Sequence, residues 1–164
     1  MSHATAPRMA PAPMAGAHIN SATGLATDYL NHFNEAIMLL EMVAGCPDCR
    51  EDLRAWRPIG YREHFRQSRF AGREFAIAAY DTADPVARDM LDALSATMTT
   101  VIEHARKSLA TEANERISGD VAARAAGWLR LLVAQAGAVI NGQRGVAADD
   151  APQIAVDRVM RLIR

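Results

Sequence analysis

The amino-acid sequence predicts an all-α protein, a helical bundle of three to four longer helices with shorter helices inserted between the first and second long ones. Three observations carry this. Alanine supplies 33 of the 164 residues, and Ala loses no side-chain entropy on entering a helix. Apolar residues recur at three- and four-residue spacing over several long windows, the period of one helix face. Runs of β-branched and aromatic residues that would suit strands are missing.

Taken in order, residues 1–20 are rich in Ala, Pro and Met without periodicity. They read as a flexible N-terminal tail, leaving 21–164 as a single helical domain. Ser21 or Thr23 is placed to cap the first helix, which follows Ala26, Tyr29, Leu30, Phe33, Ile37, Leu40 and Val43. Gly45 and Pro47 end it. Asp48, with Glu51 three residues on, has capping-box spacing and opens a short helix. That helix stops ahead of Pro58, because a residue preceding proline is pushed out of the α region. Further short helices cover 61–68 and 73–82, with Gly72 between them.

Asp84-Pro85 is the clearest start signal, an N-cap residue followed by proline at the first helical position. The stripe behind it is Val86, Met90, Leu94, Met98, Val101, Ala105 and Leu109. The next helix starts at Ser118 or Asp120 and ends at Gly142, on Val121, Ala125, Trp128, Leu132 and Val139. Its many small residues mark it as the most buried helix. A last helix opens near Asp150-Ala151-Pro152 and runs to the C-terminus. The methionines Met38, Met42, Met90, Met98 and Met160 read as core filler.

The formal net charge is −1, which argues against a general nucleic-acid binder. No apolar stretch reaches the length of a membrane span, and no signal-peptide core follows Arg8. These readings place the chain in the cytoplasm, with no membrane and no nucleic-acid partner. The motifs GxGxxG, GxSxG and HExxH and the P-loop are missing, so a non-enzymatic role is favoured over catalysis. No cofactor is implied.

Three constellations are candidate sites. Asp28, His32 and Glu35 share one face of the first helix, and His and carboxylates are common metal ligands. The metal set read from the sequence is His32 and Glu35 with His64 and His104. Glu-x-x-His, the pairing used by carboxylate-bridged dimetal bundles, does not occur. Cys46-Pro-Asp-Cys49 is a CxxC at a helix start, where a thiol gains reactivity, and Cys46 and Cys49 form a candidate redox pair. The preceding element is a helix, so the βαβ setting of the familiar redox motif is absent.

The third constellation is the segment 50–80, with six of the nine aromatics and seven of the 17 arginines. Trp56, Arg57, Tyr61, Arg62, Arg66, Arg69 and Phe70 form a candidate ligand or partner surface, since Trp, Tyr and Arg dominate interface hot spots. The same large side chains are also what short helices need as anchors to a core.

Two function classes follow. One is a protein-interaction or regulatory module that binds a partner or a second copy of itself. The alternative is a metal- or small-ligand-binding bundle using His32/Glu35 with other histidines. In either class, a site is expected where the 48–82 stretch meets the polar face of the first helix.

Overall fold

The computed structural model describes residues 19–69 and 71–143. They are all-helical, with six α-helices and no strand: α1 (Asn31–Met42), α2 (Pro47–Ala55), α3 (Tyr61–Gln67), α4 (Arg73–Asp81), α5 (Pro85–Thr111) and α6 (Glu115–Ile140). A 3-10 turn, Thr27–Leu30, leads into α1. The helix expected at 150–164, Met160, Phe70 and nearly all of the tail lie outside the described residues. Ile19 and Asn20, read with the tail, belong to the folded body. Ile19 packs on the core, and the Asn20 carboxamide accepts the N–H groups of Ala22 and Thr23.

The first helix starts later than its apolar pattern suggests. Gly24 sits at φ +75°, a left-handed conformation no helix contains. Thr23 does not cap α1. Its hydroxyl donates to the Ile140 carbonyl at 2.6 Å, tying the start of the fold to the end of α6. The Ala26 N–H goes to the Tyr61 hydroxyl at 2.9 Å. Tertiary contacts thus occupy the groups that would have extended the helix.

α2 also opens one turn-position earlier than expected. Cys46, not Asp48, is the N-cap, and Pro47 fills the first helical position, where its missing N–H costs nothing. Asp48 then lies in the first turn, a favourable place for negative charge, and Glu51 pairs with Arg54 rather than closing a capping box. α5 begins as read: the Asp84 carboxylate accepts the Ala87 N–H at 3.0 Å. α6 begins at Glu115, because the Asn114 side chain accepts two N–H groups, from Arg116 and Ile117. Ser118 is therefore inside the helix, and it is fully buried.

α6 packs along α5 and along α1, α2 packs on α1, and α3 packs on α4 and the 3-10 turn. One continuous core runs through these contacts, with Phe33, Phe65, Leu40, Leu53, Leu91, Met98, Ile102, Leu129 and Ile140 completely enclosed. A Cβ on Gly119 would meet Ala44 at 3.6 Å and one on Gly137 would meet Leu30 at 3.8 Å, ordinary contacts at the two ends of α1.

Several stripes are rotated from their expected centres. α5 buries Ala87 and Leu91 rather than Val86, which is 56% exposed, and Met90 is half-buried. α6 centres on Ala122, Leu129 and Ala136, with Val121, Trp128 and Val139 at the margin. It is not wholly buried, since Leu131 is 62% exposed. Met98 is core, but Met38 and Met42 are about half exposed. No described helix is long and apolar enough to cross a membrane.

Gly24 tests this account. A Cβ there would stand 3.2 Å from the Ala79 carbonyl oxygen and from the Ala83 Cα, in a conformation that costs an L-residue about 1–2 kcal/mol before any clash. Gly24→Ala is expected to lower the unfolding free energy by about 2 kcal/mol or more, measured by urea denaturation. An unchanged midpoint would contradict the backbone placement.

Candidate functional site

The stretch between α1 and α5 folds back onto α1 through Trp56. This residue ends α2 and is 5% exposed. Its indole N–H donates to the His32 carbonyl at 3.2 Å. Its ring stacks on the His32 imidazole with centroids 4.6 Å apart and planes at 18°. The Tyr29 hydroxyl donates to the Ile59 carbonyl at 3.1 Å, which fixes the loop between α2 and α3. α3 then brings His64 to a centroid distance of 6.4 Å from His32, with Tyr29 edge-on to His64 at 5.6 Å.

Asp28, one helical turn before His32, completes the cluster. Its charge and its backbone carbonyl both act on His64. Asp28, His32 and His64 are each half-buried. Two of their polar atoms, Asp28 Oδ2 and His32 Nε2, are fully covered and have no hydrogen-bond partner among the described residues. Covered polar atoms are nearly always paired, so these two orphans need an explanation; Arg106 Nε and Ser118 Oγ are the other such atoms among the described residues. The face holding Asp28 and His32 is thus roofed by Trp56 and α3, from the 48–82 stretch.

Burial pushes the His32 imidazole below its usual range, and the His64 charge pushes it further, against the Arg57 carbonyl. Burial also lowers His64, opposed by the Asp28 charge and carbonyl. Both rings are therefore held neutral near neutral pH. Burial raises the hydroxyls of Tyr29 and Tyr61, the latter to about 12, so both remain protonated and available as hydrogen-bonding groups.

The expected metal set does not assemble. Glu35 is exposed on α1 and His104 is exposed on α5. The described residues contain no group of three His, Cys, Asp or Glu able to hold a metal ion. Only His32 and His64 of that set come together.

The expected aromatic and arginine surface divides in two. Trp56 and Tyr61 are core residues: Tyr61 stacks on Tyr80 at 4.5 Å, and the Tyr80 hydroxyl donates to Asp92 at 2.7 Å. The arginines stay outside. Arg62 pairs with Asp81 and lies over the Tyr80 ring, Arg66 pairs with Glu63, and Arg57 binds the carbonyls of Arg54 and Trp56. Arg69 is exposed. Anchoring took the aromatics because three short helices have little other apolar surface to bury. Cys46 and Cys49 are bonded to each other at the start of α2. Sequence reasoning placed Asp28 only as a neighbour on the helix face. Its spacing to His32 was visible, but its contact with His64 depends on how α3 docks.

Because both histidines are lowered, folding favours their neutral forms. The unfolded chain binds more protons, so stability is complete above about pH 6.5 and is lost as pH falls through 6.5 toward the lower folded values. Thermal melting is expected to fall as pH drops through this range. The double variant H32Q/H64Q should flatten that dependence, and an equally steep slope in the variant would place the titration elsewhere.

Comparison with family models, with curated proteins and with solved structures gives no match for this chain.

Proposed function

We propose that this chain is a non-enzymatic helical bundle that binds a small ligand at Asp28, His32 and His64, and that the ligand carries a compact protonated amine. The two orphan atoms on neighbouring turns, Asp28 Oδ2 and His32 Nε2, are the observation that carries this. A carboxylate oxygen accepts only, and Nε2 accepts when the ring proton is on Nδ1. An ammonium head offers donors to both. The Trp56 and Tyr29 rings beside the imidazoles add the aromatic faces that attract a cation.

Trp56→Ala is a poor probe, since removing a buried Trp costs about 3–5 kcal/mol, a large part of a total stability of about 5–15 kcal/mol. Asp28→Asn keeps the shape and removes the charge. Methylammonium titrated into the protein is expected to shift the His32 and His64 ring signals in NMR spectra saturably. Asp28→Asn should weaken this at least tenfold, or about 1.4 kcal/mol. Ring signals that ignore methylammonium would sink the amine reading, and tight Zn²⁺ binding through the two histidines would replace it with a metal site.

A second reading, the protein-interaction module, draws on the outer face of α6. Arg124, Gly127, Trp128 and Leu131 border a shallow concavity of about 560 Å³, and Leu131 is the most exposed large apolar residue described. Exposed apolar surface of this kind suits a partner or a second copy. Light scattering should give a mass above the monomer at high concentration, reduced by Leu131→Asp. A monomer at every concentration, together with a melting temperature indifferent to Leu131→Asp, rejects self-association through this face.

A further inference from the structure

We propose that Cys46 and Cys49 form a thiol–disulfide exchange site whose reductant is a dithiol. This stands apart from the ligand site, because none of its atoms belongs to the Asp28, His32 and His64 cluster. The two cysteines are joined across the first turn of α2, with Cα atoms 5.2 Å apart. Cys46 is the N-cap residue, and its Sγ accepts the Cys49 N–H at 3.1 Å. The two sulfurs differ in access. Cys49 is 7% exposed and counts with the core, whereas Cys46 is half-buried at the rim. An incoming thiolate therefore reaches Cys46 first.

As a staple the bond has little to hold. It joins residues three apart, and the chain-entropy effect of a disulfide grows with the loop it closes. α2 is already anchored by Leu53 and Trp56 in the core, by the indole bond to His32 and by Arg106, which donates to the Arg54 carbonyl at 2.5 Å. What the position does supply is stabilisation of a thiolate, since a helix N-terminus directs unpaired N–H groups and positive potential at the N-cap sulfur. Asp48 in the same turn works against this, so the Cys49 N–H carries the effect.

The exchange runs in two displacements. A thiolate of the dithiol attacks Cys46 Sγ. A mixed disulfide forms, the Cys46–Cys49 bond breaks, and Cys49 leaves as a thiolate and takes up a proton. The second thiol of the reductant then loses its proton, its sulfur attacks the reductant's sulfur in the mixed disulfide, and Cys46 leaves as a thiolate that is held by the Cys49 N–H until it takes up that proton. The net change moves two electrons and two protons from the dithiol, which becomes a disulfide, to the cysteine pair, which becomes two thiols.

The test uses the full chain equilibrated in buffers of reduced and oxidised dithiothreitol or glutathione, followed by alkylation and mass measurement. The pair is expected to cycle reversibly between no alkylation and two alkylations, with the helical circular dichroism unchanged. In Cys49→Ser, the remaining Cys46 should form a mixed disulfide with an aromatic disulfide reagent at least tenfold faster than Cys49 does in Cys46→Ser. Three results overturn the proposal: a pair that stays reduced in oxidising buffer, loss of helix on reduction (a structural staple), or equal reactivity of the two single cysteines.

Discussion

The contact between Trp56 and His32 is the constraint on which the candidate site rests. One side chain closes two gaps at once, because the indole ring covers the imidazole while the indole N–H satisfies the His32 carbonyl. Without it, α2 has only Cys49 and Leu53 as buried side chains of its own, and the loop leading to α3 has no fixed approach to α1. With it, Tyr29 can reach the Ile59 carbonyl and α3 arrives with Tyr61, His64 and Phe65 on the side facing the 3-10 turn. The aromatic groups that pack the insert also roof the polar face of α1.

This arrangement trades solvation for enclosure. A carboxylate and two imidazoles on an open helix surface would be hydrated and nearly indifferent to one another. Covered by Trp56 and α3, they interact through a medium less polarisable than water, where an unpaired polar atom is expensive. That is why both rings are driven toward neutrality and why the unpaired Asp28 and His32 atoms are costly, as are the unpaired Arg106 Nε and Ser118 Oγ elsewhere in the fold. The nearby Tyr80–Asp92 pair and the Tyr61 bond to the Ala26 N–H show the ordinary outcome, in which a buried polar group finds its partner within the fold.

The two ends of α2 present different chemistry. Its N-cap and first turn carry the bonded cysteine pair at the rim of the core, and its C-cap residue, Trp56, carries the indole that covers His32. The helix spans only Pro47–Ala55, so the disulfide and the indole over His32 flank one short element. Arg54, Arg57, Arg62 and Arg66 are charge-paired or bound to carbonyls on the outside of the insert.

Much of the secondary structure was legible because it is local. Asp84-Pro85 caps and starts α5 through atoms three residues apart, and the three- and four-residue apolar rhythm of α1, α5 and α6 needs no distant partner. Cys46 and Cys49 are close for the same reason. What the sequence could not decide was which way each stripe turns and what covers it. Thr23 looked like a cap but bonds to Ile140, 117 residues away. Trp56 and Tyr61 could be read as surface or as anchors, and the fold makes them anchors. His32 could be placed on the helix face the 48–82 stretch would meet, but the residue that covers it lies 24 positions on and carries no signal of that contact. Local pattern determined where helices form, because their hydrogen bonds close within four residues. Only the tertiary structure decided which polar groups are buried together, because that depends on contacts between segments whose separation along the chain carries no periodic signal.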